Sequence, residues 1–364
     1  MSRIVLFGAT GYTGRLTAEA LVARGARPLL AARSPGKLRD LASELGDLEY
    51  QAADIERPET VADLVERGDV LLSTVGPFTR WGEPAVQAAI ASGAHYLDST
   101  GESPFIRQVF ERFGGAAEAA GCGLVTAFGY DWVPGNLAGA LALRDAGDAA
   151  ARVDVGYFIT GGGVGMSGGT RASSVEALLE PSYGWQGGRL VTERGAKRVR
   201  SFDVKGRPQA GVSVGTSEAF GLPRVHEGLR EVNVYLGWFG GASRALSVMG
   251  VGIDLWRSLP VLGPLPRTVL RRVVKGSTGG PDAAARAQSS SYVVGAAYNA
   301  AGAQLAEVVL TGVNGYDFTG RMLAWGAERA LEGGLQGTGA LGPVDAFGLD
   351  ALQAGAAEAG ITRA

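Results

Sequence analysis

Seven residues into the chain, a glycine loop opens that constrains the fold of everything after it. Residues 4–7, Ile-Val-Leu-Phe, are a short apolar run stopped by glycine, too short for a helix, which predicts a buried strand. Gly8-Ala9-Thr10-Gly11-Tyr12-Thr13-Gly14 follows, and a helix is predicted over 13–24, closed by Gly25. Strand, glycine loop and helix in that order let the backbone approach a pyrophosphate and aim helix N–H groups at it. On this reading Gly8 makes the tight turn, Gly11 the close approach and Gly14 the helix–strand contact. The spacing is GxxGxxG rather than GxGxxG. In a chain with 58 glycines the motif alone is weak, and its place between a strand and a helix gives it force.

The alternation continues through the first third of the chain. Strands are predicted over 28–32, 50–53, 69–74, 95–98 and 123–127, with helices over 35–45, 58–66, 82–92 and 104–120. Such alternation builds a parallel, doubly wound α/β sheet of the Rossmann type. After Pro134 the rhythm changes. Longer strands over 152–159, 189–193, 198–204, 211–220 and 230–238 follow with little helix between them, apart from one ending over 174–179. Segments 292–299 and 304–311 flank 300–303 as an antiparallel hairpin. Helices return over 316–331 and 343–359. The expected organisation is a Rossmann domain over 1–133 and an inserted domain on a largely antiparallel sheet over 134–314. C-terminal helices over 315–364 return to the first domain, because an open parallel sheet needs both faces covered.

Composition narrows the function. The formal net charge is -2, so no basic field exists to attract nucleic acid, and no zinc-finger spacing occurs. One cysteine, Cys122, forbids an intrachain disulfide, and two histidines, His95 and His226, make a histidine metal centre improbable; no metal is expected. The N-terminal residues carry no secretory signal pattern, and no stretch reaches the ~20 apolar residues of a membrane span, so a cytoplasmic location is expected.

The end of the second strand discriminates between nicotinamide cofactors. An NAD site wants a carboxylate there for the ribose hydroxyls. Here the chain reads Leu30-Ala31-Ala32-Arg33-Ser34, with Lys37 close by and no acid before Asp40. Arg33 can fork onto a 2'-phosphate, Ser34 can donate to it and Lys37 adds charge, so the expected cofactor is NADPH. Asp54, after the third strand, either accepts from the adenine amino group or serves as a helix cap.

Three further segments follow strands of the first sheet. They are Ser73-Thr74-Val75-Gly76-Pro77-Phe78, Tyr96-Leu97-Asp98-Ser99-Thr100-Gly101-Glu102 and Gly129-Tyr130-Asp131-Trp132-Val133-Pro134. With the glycine loop, they make the chain resemble the saccharopine dehydrogenase-like reductases, nearest the branch of trans-acting enoyl reductases of bacterial lipid assembly. Ser167-Gly168-Gly169-Thr170 and Gly315-Tyr316-Asp317-Phe318-Thr319 are similar to later landmarks of that branch. The resemblance implies a Rossmann domain completed by C-terminal helices, an inserted α/β domain and a substrate cleft between them. The chain departs from the family's Gly-Phe-Asp-Ser-x-Pro-Ser-Asp pattern at Trp132, Gly135 and Asn136. Losing an acid and two hydroxyls predicts a less polar loop and disfavours a charged amino-acid substrate.

All three segments sit at carboxyl ends of parallel strands, where ligands of such sheets bind. Thr74, Val75, Gly76 and Pro77 fall where a nicotinamide ribose would lie. Pro77, Phe78 and Trp81 either wall the ring and substrate or form a packed turn, with Trp132 a further substrate-contact candidate. Asp98 and Glu102 are either acids or caps and ion-pair partners. Asp131 is the preferred carboxylate and Tyr130 its companion as catalytic candidates; Tyr183, Tyr235 and His226 are other conceivable proton donors. No lysine lies four residues after a tyrosine, so the short-chain dehydrogenase pair is absent. Segment 240–280 mixes Leu, Val and Ile with Arg244, Arg257, Arg267, Arg271, Arg272 and Lys275. It reads either as amphipathic helices on the second sheet or as a contact with an anionic membrane or greasy substrate. The leading expectation is reduction of a C=C bond in an apolar small or carrier-bound acceptor, with imine reduction as the alternative and a homodimer conceivable. The rival class is a non-catalytic, lipid-associated cofactor-binding protein.

Overall fold

The computed structural model describes residues 2–162, 182–238 and 279–364, and its contacts divide them between two compact units. Ser167–Thr170, the helix expected to end over 174–179 and nearly all of the Arg-rich segment 240–280 lie outside the described residues. No helix among the described residues is long and apolar enough to cross a membrane.

The first unit comprises residues 1–101, 105–133 and 315–361. Its strands are β1 (Ile4–Phe7), β2 (Leu29–Ala32), β3 (Tyr50–Ala52), β4 (Val70–Ser73), β5 (His95–Asp98) and β6 (Gly123–Val125). Helices α1 (Tyr12–Ala23), α2 (Pro35–Glu44), α3 (Pro58–Ala62), α4 (Phe78–Trp81), α5 (Glu83–Ser92), α6 (Ser103–Gln108) and α7 (Gly114–Ala120) connect them. The sheet is parallel, ordered β15-β6-β5-β4-β1-β2-β3, where β15 is Gly339–Ala340 from near the C-terminus. Every residue of β1, β2 and β4 is buried, as strands covered on both faces require. One face packs Val5, Phe7, Leu71, Tyr96 and Leu124 against the α5 and α7 side chains Val86, Ala89 and Ala117.

The other face is covered by α1 and the Gly315–Leu331 helix. Phe318, Leu323 and Trp325 of that helix are at most 2% exposed, which stabilises the unit by roughly 1.5–3 kcal/mol each. Trp325 stacks on Phe128 at 6.4 Å and tilts onto Phe347 at 5.0 Å. Arg24 at the end of α1 pairs with Glu328 and Glu358, tying the first helix to the last ones.

The second unit holds residues 102–104, 134–314 and 362–364. Its main path runs β10-β11-β12-β7-β13-β14-β16, with β8 and β9 attached through β12. These strands are β7 (Arg152–Gly161), β8 (Ser182–Gln186), β9 (Arg189–Glu193), β10 (Val199–Val204), β11 (Arg207–Val214), β12 (Glu231–Leu236), β13 (Ser289–Tyr298), β14 (Gln304–Gly312) and β16 (Ile361–Arg363). The sheet is mixed: β12 and β7 are parallel, whereas β7–β13 and β13–β14 are antiparallel. Asn299 closes the β13–β14 hairpin, its side-chain oxygen accepting from the N–H groups of Ala301 and Ala303.

The elements differ from the sequence reading at several places, among them strands β8, β15 and β16, which it does not predict. Helix α8 (Val133–Ala146) occupies a stretch where the sequence pattern predicts no element. Residues 132–143 are buried all round, so the helix shows no polar face to betray its period. The strand expected over 211–220 stops at Val214, and a helix, Glu218–Val225, follows. The expected 343–359 helix is two, Pro343–Phe347 and Leu349–Ala359, broken at Gly348 with its φ of 78°. The 104–120 helix carries a π-helical turn over Val109–Phe113.

Candidate functional site

The carboxyl edge of the first sheet gathers the loops after β1, β2, β4, β5 and β6. Gly8 turns with φ of 94°, a conformation that excludes a side chain, and a Cβ there would also lie 2.6 Å from Thr74 Oγ1. A Cβ on Gly14 would collide with the Gly8 carbonyl oxygen, so only glycine lets α1 begin this close to β1. The Gly8 and Ala9 N–H groups donate to the Ala31 carbonyl at 2.8 and 3.1 Å, locking the loop to the end of β2. Gly11 is the N-cap of α1; no side chain caps the helix and no acid lies in its first turn. Its opening N–H groups therefore form an anion-binding end. Thr74 donates to Gly8 O at 3.2 Å, holding the β4 loop against the cradle. Thr10, Tyr12 and Thr13 complete the loop, half-buried.

Beyond β2, Arg33 and Lys37 are exposed, and neither forms an ion pair among the described residues. Ser34 is the N-cap of α2, yet its hydroxyl makes no capping bond. Two unpaired cations and an uncommitted hydroxyl fit a 2'-phosphate, and the glycine cradle with an uncapped helix fits a pyrophosphate. Asp54 is not a helix cap: Arg57 holds that place before α3, and Asp54 Oδ1 instead accepts from Glu56 N–H at 3.1 Å.

The acidic residues separate by environment. Asp98 is fully buried and accepts from Thr100 N–H (2.9 Å), Ala127 N–H (2.8 Å) and Thr126 Oγ1 (2.7 Å). It knits the ends of β5 and β6, and burial pushes its carboxyl up to about 6 despite those bonds. Asp131 is half-buried, with Oδ1 shielded from solvent and without a hydrogen-bond partner among the described residues. Burial pushes its carboxyl up to about 7. Gly101 presses on it, since a Cβ there would come 2.8 Å from Oδ2. Such a carboxyl holds its proton near neutral pH, the property of a general acid.

Sequence comparison decides the family. The profile of the Saccharopine dehydrogenase NADP binding domain matches residues 4–124. A Mycobacterium tuberculosis protein, provisionally named a trans-acting enoyl reductase, is 32% identical over 365 residues, covering 88% of this chain and 86% of its own. The chain belongs to the saccharopine dehydrogenase-like NADP-dependent reductases, on their trans-acting enoyl reductase branch. This reductase is accordingly an NADPH-dependent oxidoreductase. A trans-acting enoyl reductase of Mycobacterium ulcerans is 41% identical over 140 residues, covering 37% of this chain and 34% of its own. Apo saccharopine dehydrogenase (L-Glu forming) from Saccharomyces cerevisiae shares the fold at 14% identity, with a TM-score of 0.60 over 100% of this chain and 99% of that one.

The remaining site candidates of the reductase fall at different depths. Gly76 is exposed and Val75 and Pro77 half-buried, so the β4 loop faces outward beside the cradle. Phe78 is 6% exposed and tilts onto Phe105 at 5.6 Å, which makes it a core anchor of that turn rather than an open wall. Trp81 is half-buried under the Arg80 guanidinium, 5.2 Å from its ring centre. Tyr130 and Trp132 are 6% and 3% exposed and flank Asp131. Tyr183, Tyr235 and His226 belong to the second unit, where Tyr183 packs on Phe220, Tyr235 joins an apolar cluster and His226 faces the Gly147 carbonyl.

The loss of polarity expected at Gly135 and Asn136 is not what the second unit shows. Fully buried Glu218 accepts from Tyr157 Oη at 2.9 Å, and Tyr157 Oη accepts from Gly135 N–H at 2.7 Å. Asn136 donates to Ser217 at 3.0 Å. A side chain at 135 would collide with Glu218 and Tyr157, so the small residue makes room for a carboxylate from elsewhere in the chain. Sequence reasoning missed Glu218 because it lies 83 positions beyond Gly135, in a segment read as strand.

Proposed function

We propose that this protein reduces a carbon–carbon double bond conjugated to a carbonyl, in an apolar acceptor, at the expense of NADPH. The observation that carries the reading is the carboxyl edge of one sheet, which holds an open phosphate cradle after β1, two cations unpaired among the described residues after β2, and a carboxyl held up to about 7 after β6. The relatives' names, trans-acting enoyl reductase, support a double bond as the acceptor. The setting of Asp131 supports an apolar one: the buried side chains of Tyr130 and Trp132 flank it, and burial is what raises its carboxyl. A dicarboxylate amino acid needs basic partners in such a place.

On this reading Gly8, Gly11 and Gly14 admit the pyrophosphate, and Arg33, Ser34 and Lys37 take the 2'-phosphate. Thr74 to Pro77 border the ribose. NADPH held there would supply a hydride for the carbon β to the carbonyl. The electron pair of the double bond would be held as an enolate on the carbonyl oxygen. It would return to the carbon α to the carbonyl as that carbon takes the proton of the Asp131 carboxyl, leaving the saturated product and an Asp131 carboxylate. A carboxyl near 7 suits this task, because it is protonated often enough to donate and ionised often enough to be reprotonated by water.

The test is NADPH consumption, followed by absorbance, with trans-2-enoyl thioesters of increasing chain length. Turnover should rise with chain length. Consumption with a 2-oxo acid plus an amino acid, and none with enoyl thioesters, would assign imine reduction instead.

A further inference from the structure

We propose that Thr319 is a positioning residue for the Asp131 acid, and that the Gly315–Leu331 helix couples the acid-bearing loop to the glycine loop. The proposal rests on the role assigned to Asp131 above. The loop after β6 has its own short bonds, Trp132 N–H to Ala127 O at 2.8 Å and Val133 N–H to Gly129 O at 3.0 Å. These shape the loop but do not fix its direction. Thr319 does. Its hydroxyl donates to Gly315 O at 2.7 Å, which commits its only hydrogen, and the oxygen then accepts from Tyr130 N–H at 2.9 Å. The residue next to Asp131 is thus held by its backbone.

Packing closes the same contact. A Cβ on Gly129 would lie 2.8 Å from Thr319 Cγ2, and one on Gly315 would lie 2.8 Å from the Tyr130 ring. The Tyr130 ring also meets Phe318 edge-on at 6.4 Å. The Thr319 side chain thus packs directly on the Gly129 backbone and the Tyr130 ring directly on the Gly315 backbone.

The helix reaches the other half of the site from the same turn. Tyr316 meets Tyr12 of the glycine loop edge-on at 5.3 Å, and Gly320 lies on the Leu16 backbone, a Cβ there coming within 3.0 Å. Tyr316, Thr319 and Gly320 are spaced i, i+3 and i+4, one face of one helix. That face therefore touches the start of α1 and the acid-bearing loop together. A rigid element in contact with both sets the distance from the phosphate cradle to Asp131.

The test compares Thr319→Val, which keeps the shape and removes the hydroxyl, with Thr319→Ser, which keeps the hydroxyl. Backbone amide exchange at Tyr130 is measured in the full chain, with kcat and the NADPH KM on a trans-2-enoyl thioester. In Thr319→Val the Tyr130 amide should exchange at least about tenfold faster. Its kcat should fall about tenfold, with the NADPH KM within about twofold of the parent. Thr319→Ser should restore both readouts, and Thr319→Val added to Asp131→Asn should lower kcat no further. Unchanged exchange and kcat in Thr319→Val, or equal losses in the Ser variant, would overturn the proposal; so would a lowered melting temperature with kcat intact. An intact kcat in Asp131→Asn overturns the acid assignment instead, and exchange at Tyr130 then decides by itself whether Thr319 holds the loop.

Discussion

Replacing Asp131 with Asn removes a carboxyl whose ionisation the fold opposes, so the variant should gain stability over the parent as pH rises. Burial raises this carboxyl from 3.8 to about 7, and its Oδ1 has no hydrogen-bond partner among the described residues to stabilise a charge. Below the unfolded value both states are protonated and nothing is lost. Between the two values the unfolded chain releases a proton that the folded chain keeps, so stability falls as pH rises through that window. Above about 7 the loss levels off. A rise of about three units sets a ceiling of ~4 kcal/mol. Asp131 keeps some contact with solvent, which lowers the expected figure to about 2 kcal/mol. Asp98, raised to about 6, has the same sign but is common to both proteins and cancels in the difference. Urea midpoints by tryptophan fluorescence, at a series of pH values from about 4 to 8.5, give the difference curve. It should climb from acid to neutral pH and then flatten. A curve that stays flat throughout would show that Asp131 ionises freely and would defeat the argument for a neutral acid.

Two further outcomes follow from the cradle. Arg33→Ala should weaken NADPH binding at least tenfold, about 1.4 kcal/mol, with little change for NADH. Fluorescence titration measures this, and equal NADPH and NADH affinities in the parent would remove the role given to Arg33. Gly14→Ala should abolish NADPH binding and lower stability by roughly 1–3 kcal/mol, because its Cβ meets the Gly8 carbonyl, a backbone atom that cannot step aside. A melting curve and cofactor affinity both equal to the parent's would contradict the close-approach reading.

What could be read from the sequence was local. Ile4–Phe7 and His95–Asp98 form the expected strands to the residue, because four apolar or aromatic residues before a glycine, or a short run between turn signals, leave a buried strand few alternatives. The strand–loop–helix order around the glycine loop was legible for the same reason, since it depends on residues within a few positions, although Ala31 and Thr74, which hold the loop in place, lie far along the chain. Helix α8 was not, because burial on all sides erases the polar face that marks a helix. Glu218 was equally hidden: nothing near it in the chain shows that it will fill the space beside Gly135. Asp131 illustrates the division. Its type and its place after β6 could be read along the chain. Its shielded oxygen, the press of Gly101 and the grip of Thr319 on Tyr130 come from residues 30 positions before it and 188 after. Desolvation and backbone direction depend on which segments meet in space, and only the folded chain decides that.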